Sequence, residues 1–284
     1  MQKECHISAI GILQGRLTLP TNDQLQCFPI SWEKEFSLAK SSGIDTIELL
    51  FEKEKNDQNP LWSRQKTLRL KNLAKAENVH LPSLCADFFM SHPIFSSSRN
   101  DFHDIESHFQ MLVDRCEDLD ISIMVIPCFE KGEAKNEEEK KRFGSNLRHL
   151  TQRIRKTRVR LALETTWNGH ELEKFVHGLD DPHVAVCYDT GNTTAFNHDQ
   201  VNDIEILGGL ITHVHVKDRL RNGGPNVLLG TGNTPFESIF STFRNIKYSG
   251  DFILETIRGD DPVATANRHV FFIQNHWQAT EKAR

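Results

Sequence analysis

The sequence predicts an α/β chain folded as a single (β/α)8 TIM barrel that spans residues 1–284. Three observations lead there. Short apolar runs of strand length alternate with amphipathic helical stretches about eight times, which implies a parallel sheet covered by helices. The length, 284 residues, accommodates one barrel of ~250 residues with loop insertions. Finally, Ile211–Asp218 (Ile-Thr-His-Val-His-Val-Lys-Asp) sets His213, His215 and Lys217 on one face of a strand and Thr212, Val214 and Val216 on the other. Helices on both sides in sequence place its apolar face outward, so the polar face points into the barrel. Burying those groups is costly unless a metal ion or substrate partners them.

Taken in order, Ile7–Leu13 reads as the first strand, followed by Gln14-Gly15-Arg16 at its end. Ser31–Ser42 carries Trp32, Phe36 and Ala39 at helical spacing, with Ser31 as N-cap and Gly43 as C-cap. Ile44–Leu50 is the second strand, with Glu48 near its end, and Leu61–Glu77 the next helix. Val79–Cys85 is the third strand, bent by Pro82. Ala86–Asn100 reads as a loop, Phe102–Leu119 as a helix and Ile121–Pro127 as the fourth strand. The charge run Lys131–Lys141 reads as a solvated loop and helix start, the helix continuing to about Thr157. Val159–Glu164 is the fifth strand, followed by a short helix to Gly178. Val184–Asp189 is the sixth strand and Asp199–Gly208 a helix. After the seventh strand come a glycine-rich loop, Arg219–Thr234, and a helix, Phe236–Ile246. Phe252–Thr256 is the eighth strand and Asp260–Gln278 the closing helix. An open doubly wound sheet is the competing topology, but no Gly-x-Gly-x-x-Gly follows the first strand, which disfavours its dinucleotide-binding version.

Composition narrows the partners. The formal net charge is -5 and no basic stripe stands out, which argues against nucleic acid. No apolar run approaches the ~20 residues of a membrane helix, and the polar start lacks a signal-peptide core. Six cysteines lie far apart without a Cys-x-x-Cys pair and read as reduced thiols, so the expected location is cytoplasmic.

In such barrels the chemistry sits where strands end. Glu164 ends the fifth strand, Asp189 the sixth and Glu255 the eighth, and His215 lies near the end of the seventh. Leu161, Leu163, Phe252 and Leu254 have the opposite parity and face the helices. Four successive strands thus deliver three carboxylates and one imidazole to one rim. That donor set suits a divalent ion: Mn²⁺, Mg²⁺, Co²⁺ or Zn²⁺. Smaller signals surround it. Gln14 and Arg16 follow the first strand at the same rim, and Arg16 is suited to a carboxylate or phosphate. Gly230 and Gly232 either offer N–H groups to an anion or simply turn the chain. Lys217 either bonds a substrate oxygen or pairs with Glu164 or Glu255, and Asp218 anchors the following loop. Glu48 binds a hydroxyl or supports the site from behind, and His213 either supports it or joins the ligands. Trp167, Phe88 and Phe89 either pack on a sugar face or form loop core. His198 falls in an exposed loop.

The stretches Gly11–Leu17, Gly43–Glu48, Leu81–Asp87, Leu163-Glu164, Tyr188–Asn192, His213–Asp218, Leu229–Gly232 and Leu254-Glu255 together resemble the xylose isomerase-like TIM barrel superfamily, in its sugar phosphate isomerase/epimerase branch. The resemblance implies that Glu164, Asp189, His215 and Glu255 match the metal ligands of the ketose 3-epimerases, where the two glutamates also form the acid/base pair. It implies that Arg221, six residues after the histidine, contacts substrate. The chain departs from those epimerases in having Asn192 three residues after the aspartate, where they have histidine. It also has His170 six residues after the first ligand, where they have glutamate. Asn192 takes a substrate-binding position in this reading, with Arg16, Gln14, Glu48, Lys217 and Arg221.

The expected function is a metal-dependent isomerase or epimerase of a small sugar, polyol or sugar phosphate, working by proton abstraction next to a carbonyl through an enediolate. The expected partners are that sugar and, for assembly, a second copy of the chain. An inosose dehydratase-like lyase uses the same proton abstraction and is the alternative. An endonuclease IV-like nuclease needs more histidines and meets an opposing net charge. A non-catalytic sugar-binding barrel does not account for a complete acid/base pair.

Overall fold

The apolar runs become eight parallel strands that close on themselves in a computed structural model describing residues 9–20 and 24–282. The barrel strands are β1 Ile10–Leu13, β2 Ile47–Phe51, β3 Ser83–Ala86, β4 Ile123–Cys128, β5 Arg160–Thr165, β6 Val184–Asp189, β7 Ile211–Val216 and β8 Phe252–Leu254. β8 closes on β1 in parallel register, Ile10 beside Phe252 and Ile12 beside Leu254. The part of the first predicted strand before Ala9 lies outside the described residues, as does Cys5.

Helices α1 Trp32–Ser41, α2 Arg64–Glu77, α3 Arg99–Leu119, α4 Glu137–Thr151, α5 Gly169–Leu179, α6 Gln200–Leu207, α7 Phe236–Asn245 and α8 Pro262–Lys282 alternate with the strands. Several starts are fixed by a side-chain oxygen that takes up an otherwise unpaired N–H of the first turn. Ser98 does this for α3, Asn136 for α4, Asn168 for α5 and Asp199 for α6. Ser31 caps α1 by position only, without a side-chain hydrogen bond, and α1 passes through Ser42 before Gly43 takes a left-handed turn.

The strands are shorter than their apolar runs. Pro82 cannot donate to a ladder, so β3 begins at Ser83 and the residues before it contribute a single bridge, Thr46 to His80. β8 stops at Leu254, although Glu255 N–H still donates to the Val216 carbonyl at 3.0 Å. Among the described residues, several local elements are absent from the hydrophobic pattern. They include the short helices Phe88–Ser91 and Thr190–Ala195, and a two-stranded ribbon in the glycine-rich loop that pairs Asp218–Arg219 with Asn226–Val227. Each rests on turn and side-chain bonding rather than on periodicity.

Two apolar layers result. The large one fills the space between strands and helices. The small one lies inside the barrel and contains Leu13, Leu50, Cys85, Val125, Ala162, Cys187 and Ile253. Ala162, Cys187 and Ile253 stand two residues before Glu164, Asp189 and Glu255, so this layer is the floor beneath those carboxylates. The five described cysteines are buried free thiols. Among the described residues no helix is long and apolar enough to cross a membrane.

The last helix is tied to the rim by His269. Its Nε2 accepts the Leu229 N–H at 3.3 Å, so the ring proton sits on Nδ1, 2.9 Å from Thr256 Oγ1. Burial, with Arg268 nearby, lowers its pKa to about 4. An unfolded histidine titrates near ~6.5, so as pH falls the unfolded chain takes up this proton first. The stability it contributes is present above that value and is lost progressively as pH falls towards 4. The urea midpoint of the wild-type chain is expected to drop between pH 7 and pH 5 more steeply than that of His269→Leu; parallel profiles would refute this.

Candidate active site

Asp189 is the last residue of β6, Glu164 and His215 stand one residue before the ends of β5 and β7, and Glu255 directly follows β8. Asp189 and His215 are register partners. One ligand atom from each of the four groups lies within 4.8 Å of all the others, and all four residues are buried. His215 Nδ1 is 2.9 Å from Glu255 Oε2 and 3.5 Å from Glu164 Oε2. Lys217 Nζ is 2.8 Å from both Asp189 Oδ2 and Glu255 Oε1.

These close approaches are only partly hydrogen bonds. Asp189 Oδ2, Glu255 Oε2 and His215 Nδ1 are buried without an aligned hydrogen-bond partner among the described residues. Three orphaned polar atoms from three strands, converging where a fourth group adds another oxygen, fit a divalent cation with oxygen and nitrogen donors. Electrostatics agree. Burial alone would raise the Glu255 carboxyl, but Lys217 and His215 hold it well below the usual range. Burial pushes Asp189 upward, and the crowding of Glu255 and Glu164 adds to that against the pull of Lys217. Burial opposes an imidazolium at His215, yet Cys187, Glu48 and Glu164 together raise it.

The ring of His215 is oriented from below. Its Nε2 is hydrogen-bonded to Glu48 Oε1 at 2.7 Å, which leaves Nδ1 facing the carboxylates. Glu48 Oε2 lies 2.6 Å from His213 Nε2, close but not aligned. Glu48, His213 and His215 form a second group of metal-binding residue types. All three are fully buried in the barrel interior and none of them lines the rim cavity, whereas Glu164 and Glu255 do. The Glu48 carboxylate faces two histidines and not the cavity, unlike the substrate-binding position expected for it. His213 is fully buried beside Glu48, on the far side of that carboxylate from His215 Nδ1.

The cavity above the cluster measures about 360 Å³, within the range of small-molecule sites. Glu164, Glu255, Lys217, Asn192 and Arg219 line it, with Asp87, Phe129, Glu130 and Asn226. Asn192 Nδ2 donates to Glu164 Oε1 at 3.1 Å, and its Oδ1 accepts from Arg219 NH1 at 3.0 Å. Arg221, placed at the substrate by its spacing, is instead exposed on the turn of the ribbon. The ribbon reverses the chain after Arg219, so Arg219 is the arginine that reaches the cavity. Gln14 also misses the cavity: Oε1 accepts the Leu50 N–H at 3.2 Å.

Arg16 is buried and does not line the cavity, its guanidinium has no hydrogen-bond acceptor among the described residues, and burial followed by the nearby Arg258 lowers its pKa to about 10. Its loop is held by Glu35, whose carboxylate accepts the N–H groups of Gly15 (2.6 Å) and Leu17 (3.0 Å), and Gly15 is left-handed at φ 88°. Gly230 and Gly232 do not face a ligand. Their N–H groups, with that of Thr234, are bound by the Asp218 carboxylate, the loop anchor. Phe88 packs with Phe51, Trp62 and Phe89, and Trp167 with Phe143 and Phe175, so these aromatics are loop core. His170 is exposed. Sequence reasoning gave no role to Asp87, a buried carboxyl in the cavity wall that burial raises to about 7. Its place directly after β3 was the available signal. A larger groove, about 610 Å³, lies between α4 and α5 on the outer face, away from this chemistry.

Fold and site together define a (β/α)8 barrel with a buried carboxylate–imidazole cluster at its C-terminal rim. The chain belongs to the xylose isomerase-like TIM barrel family, whose model matches residues 36–275. It is similar to the L-ribulose-5-phosphate 3-epimerase UlaE of Escherichia coli, 25% identical over 242 residues that cover 82% of this chain and 85% of that protein. Among solved structures it resembles an L-ribulose 3-epimerase with a TM-score of 0.77 at 16% identity, covering 98% of this chain and 97% of the other. It also resembles the D-allulose 3-epimerase from Methylomonas sp. in complex with D-allulose, with a TM-score of 0.75 at 16% identity over 95% and 98% of the two chains. At these identities the structural likeness establishes the fold.

Proposed function

We propose that the chain, acting as a single domain, is a divalent-metal-dependent isomerase or epimerase of a small sugar, polyol or sugar phosphate. In this reading Glu164, Asp189, His215 and Glu255 hold the ion, and Glu164 and Glu255 are the acid/base pair. The observation that carries it is the buried four-group cluster, its ligand atoms within 4.8 Å of one another beneath the rim cavity. The similarity to named 3-epimerases supports the same reading.

A divalent ion held there supplies positive charge that acidifies the hydrogen next to a substrate carbonyl. The remaining work falls to the chain. Glu164 and Glu255 come from strands separated by β6 and β7, so they meet the cavity from two sides. One removes the proton and the other returns it, which inverts the carbon when the two act on opposite faces. Asn192 steadies Glu164, Glu48 fixes the His215 ring, and Arg219 and Lys217 offer N–H groups to substrate oxygens. The test is a panel of sugars and sugar phosphates incubated in D2O with added Mn²⁺. Deuterium is expected at the carbon next to the carbonyl of the true substrate. Conversion without solvent deuterium would exclude the two-glutamate route and point to a hydride shift.

A further inference from the structure

Lys217 is buried at 5% exposure in the cavity wall, with its ammonium 2.8 Å from one oxygen each of Asp189 and Glu255. The fold provides for it twice. Thr190 Oγ1 donates to the Lys217 carbonyl (2.7 Å) and accepts its N–H (3.1 Å), which pins the backbone. Gly191 lies against the stem of the side chain; a Cβ there would stand 2.4 Å from Lys217 Cγ, so only glycine leaves the lysine its path. A cation so placed touches two of the four candidate ligands and the space where substrate must sit.

We propose that Lys217 is the resident cation of the site: it competes with the divalent ion for Asp189 and Glu255, and it gives the loaded site a second positive charge beside the substrate oxygen that becomes negative. The inference rests on the metal reading given under Proposed function. Glu164, Asp189 and Glu255 carry three negative charges when ionised, and Lys217 leaves two. Without the lysine a divalent ion would meet one more uncompensated negative charge among its ligands. Removing Lys217 therefore favours the ion. It disfavours the reaction, because negative charge developing on the substrate loses its nearest fixed cation. Metal affinity and catalysis are expected to move in opposite directions, which a merely structural lysine would not produce.

The experiment is titration of the metal-free protein with Mn²⁺ alone, by calorimetry, for wild type, Lys217→Met and Lys217→Gln. Both variants are expected to bind Mn²⁺ tighter by on the order of tenfold, the size of effect that one nearby charge has on an ionisable site. Both should melt at a lower temperature than wild type when metal-free and gain more from added Mn²⁺. Solvent-deuterium exchange into the substrate should fall by about 10²-fold, as when a charge-stabilising donor is lost. Folded variants that bind Mn²⁺ no tighter than wild type overturn this inference and leave the proposed function standing. Absence of Mn²⁺ binding in all three proteins overturns both. Tighter binding with undiminished exchange overturns the catalytic half.

Discussion

Glu255→Gln is expected to lower turnover by ~10²–10⁴-fold while metal stays at least partly bound. The amide keeps the size of the side chain and one ligand oxygen, but loses the basic lone pair. Glu164→Gln should behave alike, with the new amide turning its oxygen towards Asn192 Nδ2, which lies 3.1 Å from Glu164 Oε1 in the wild type. The double replacement should cost little more than the worse single one, because both residues serve one proton-transfer sequence and such losses are not additive. Metal content measured beside single-turnover rates decides. Near-normal turnover in Glu255→Gln with metal bound would end the two-glutamate proposal.

His215→Ala should strip the protein of metal and also destabilise it. The imidazole is the only nitrogen donor among the four groups. It is also the hydrogen-bond partner of Glu48, a carboxylate with 0% exposure. Deleting one partner of a buried charge pair costs about 3–5 kcal/mol, so a fall in melting temperature should accompany the loss of metal. His177→Ala is the suitable control, since that side chain is 63% exposed on α5. His198 would serve poorly: the sequence puts it in an exposed loop, but its ring lies 3.2 Å from Asp203 with only 12% of the side chain exposed. Equal metal occupancy after dialysis in His215→Ala and His177→Ala would sink the assignment.

The convergence of Glu164, Asp189, His215 and Glu255 was legible because a parallel strand has period two and a barrel has one chemical rim. Parity along each strand tells which residues point inward, and position along the strand tells which end they reach. The same reasoning separated Leu161, Leu163, Phe252 and Leu254, all of which pack outward. It also pointed His213, His215 and Lys217 into the barrel. Arg221 failed because a count of six residues after His215 assumes a loop path, and the Asp218–Arg219 ribbon bends that path after Arg219.

The sequence by itself determined the alternation of elements, the inward faces and the chemical character of the rim, since all three follow from local periodicity and residue type. Only the tertiary structure decided how those groups divide the work. Glu48 and His215 are 167 residues apart, and nothing local says that the carboxylate turns to the imidazole and His213 rather than to the cavity. That choice depends on the stagger of β2 against β7 across the closed barrel, on which side-chain rotamers fill its interior, and on the cost of leaving a buried charge unpaired. The same physics placed Lys217 between Asp189 and Glu255: the strand aimed it inward, but the glycine beside its stem and two carboxylates from neighbouring strands fixed where its charge came to rest.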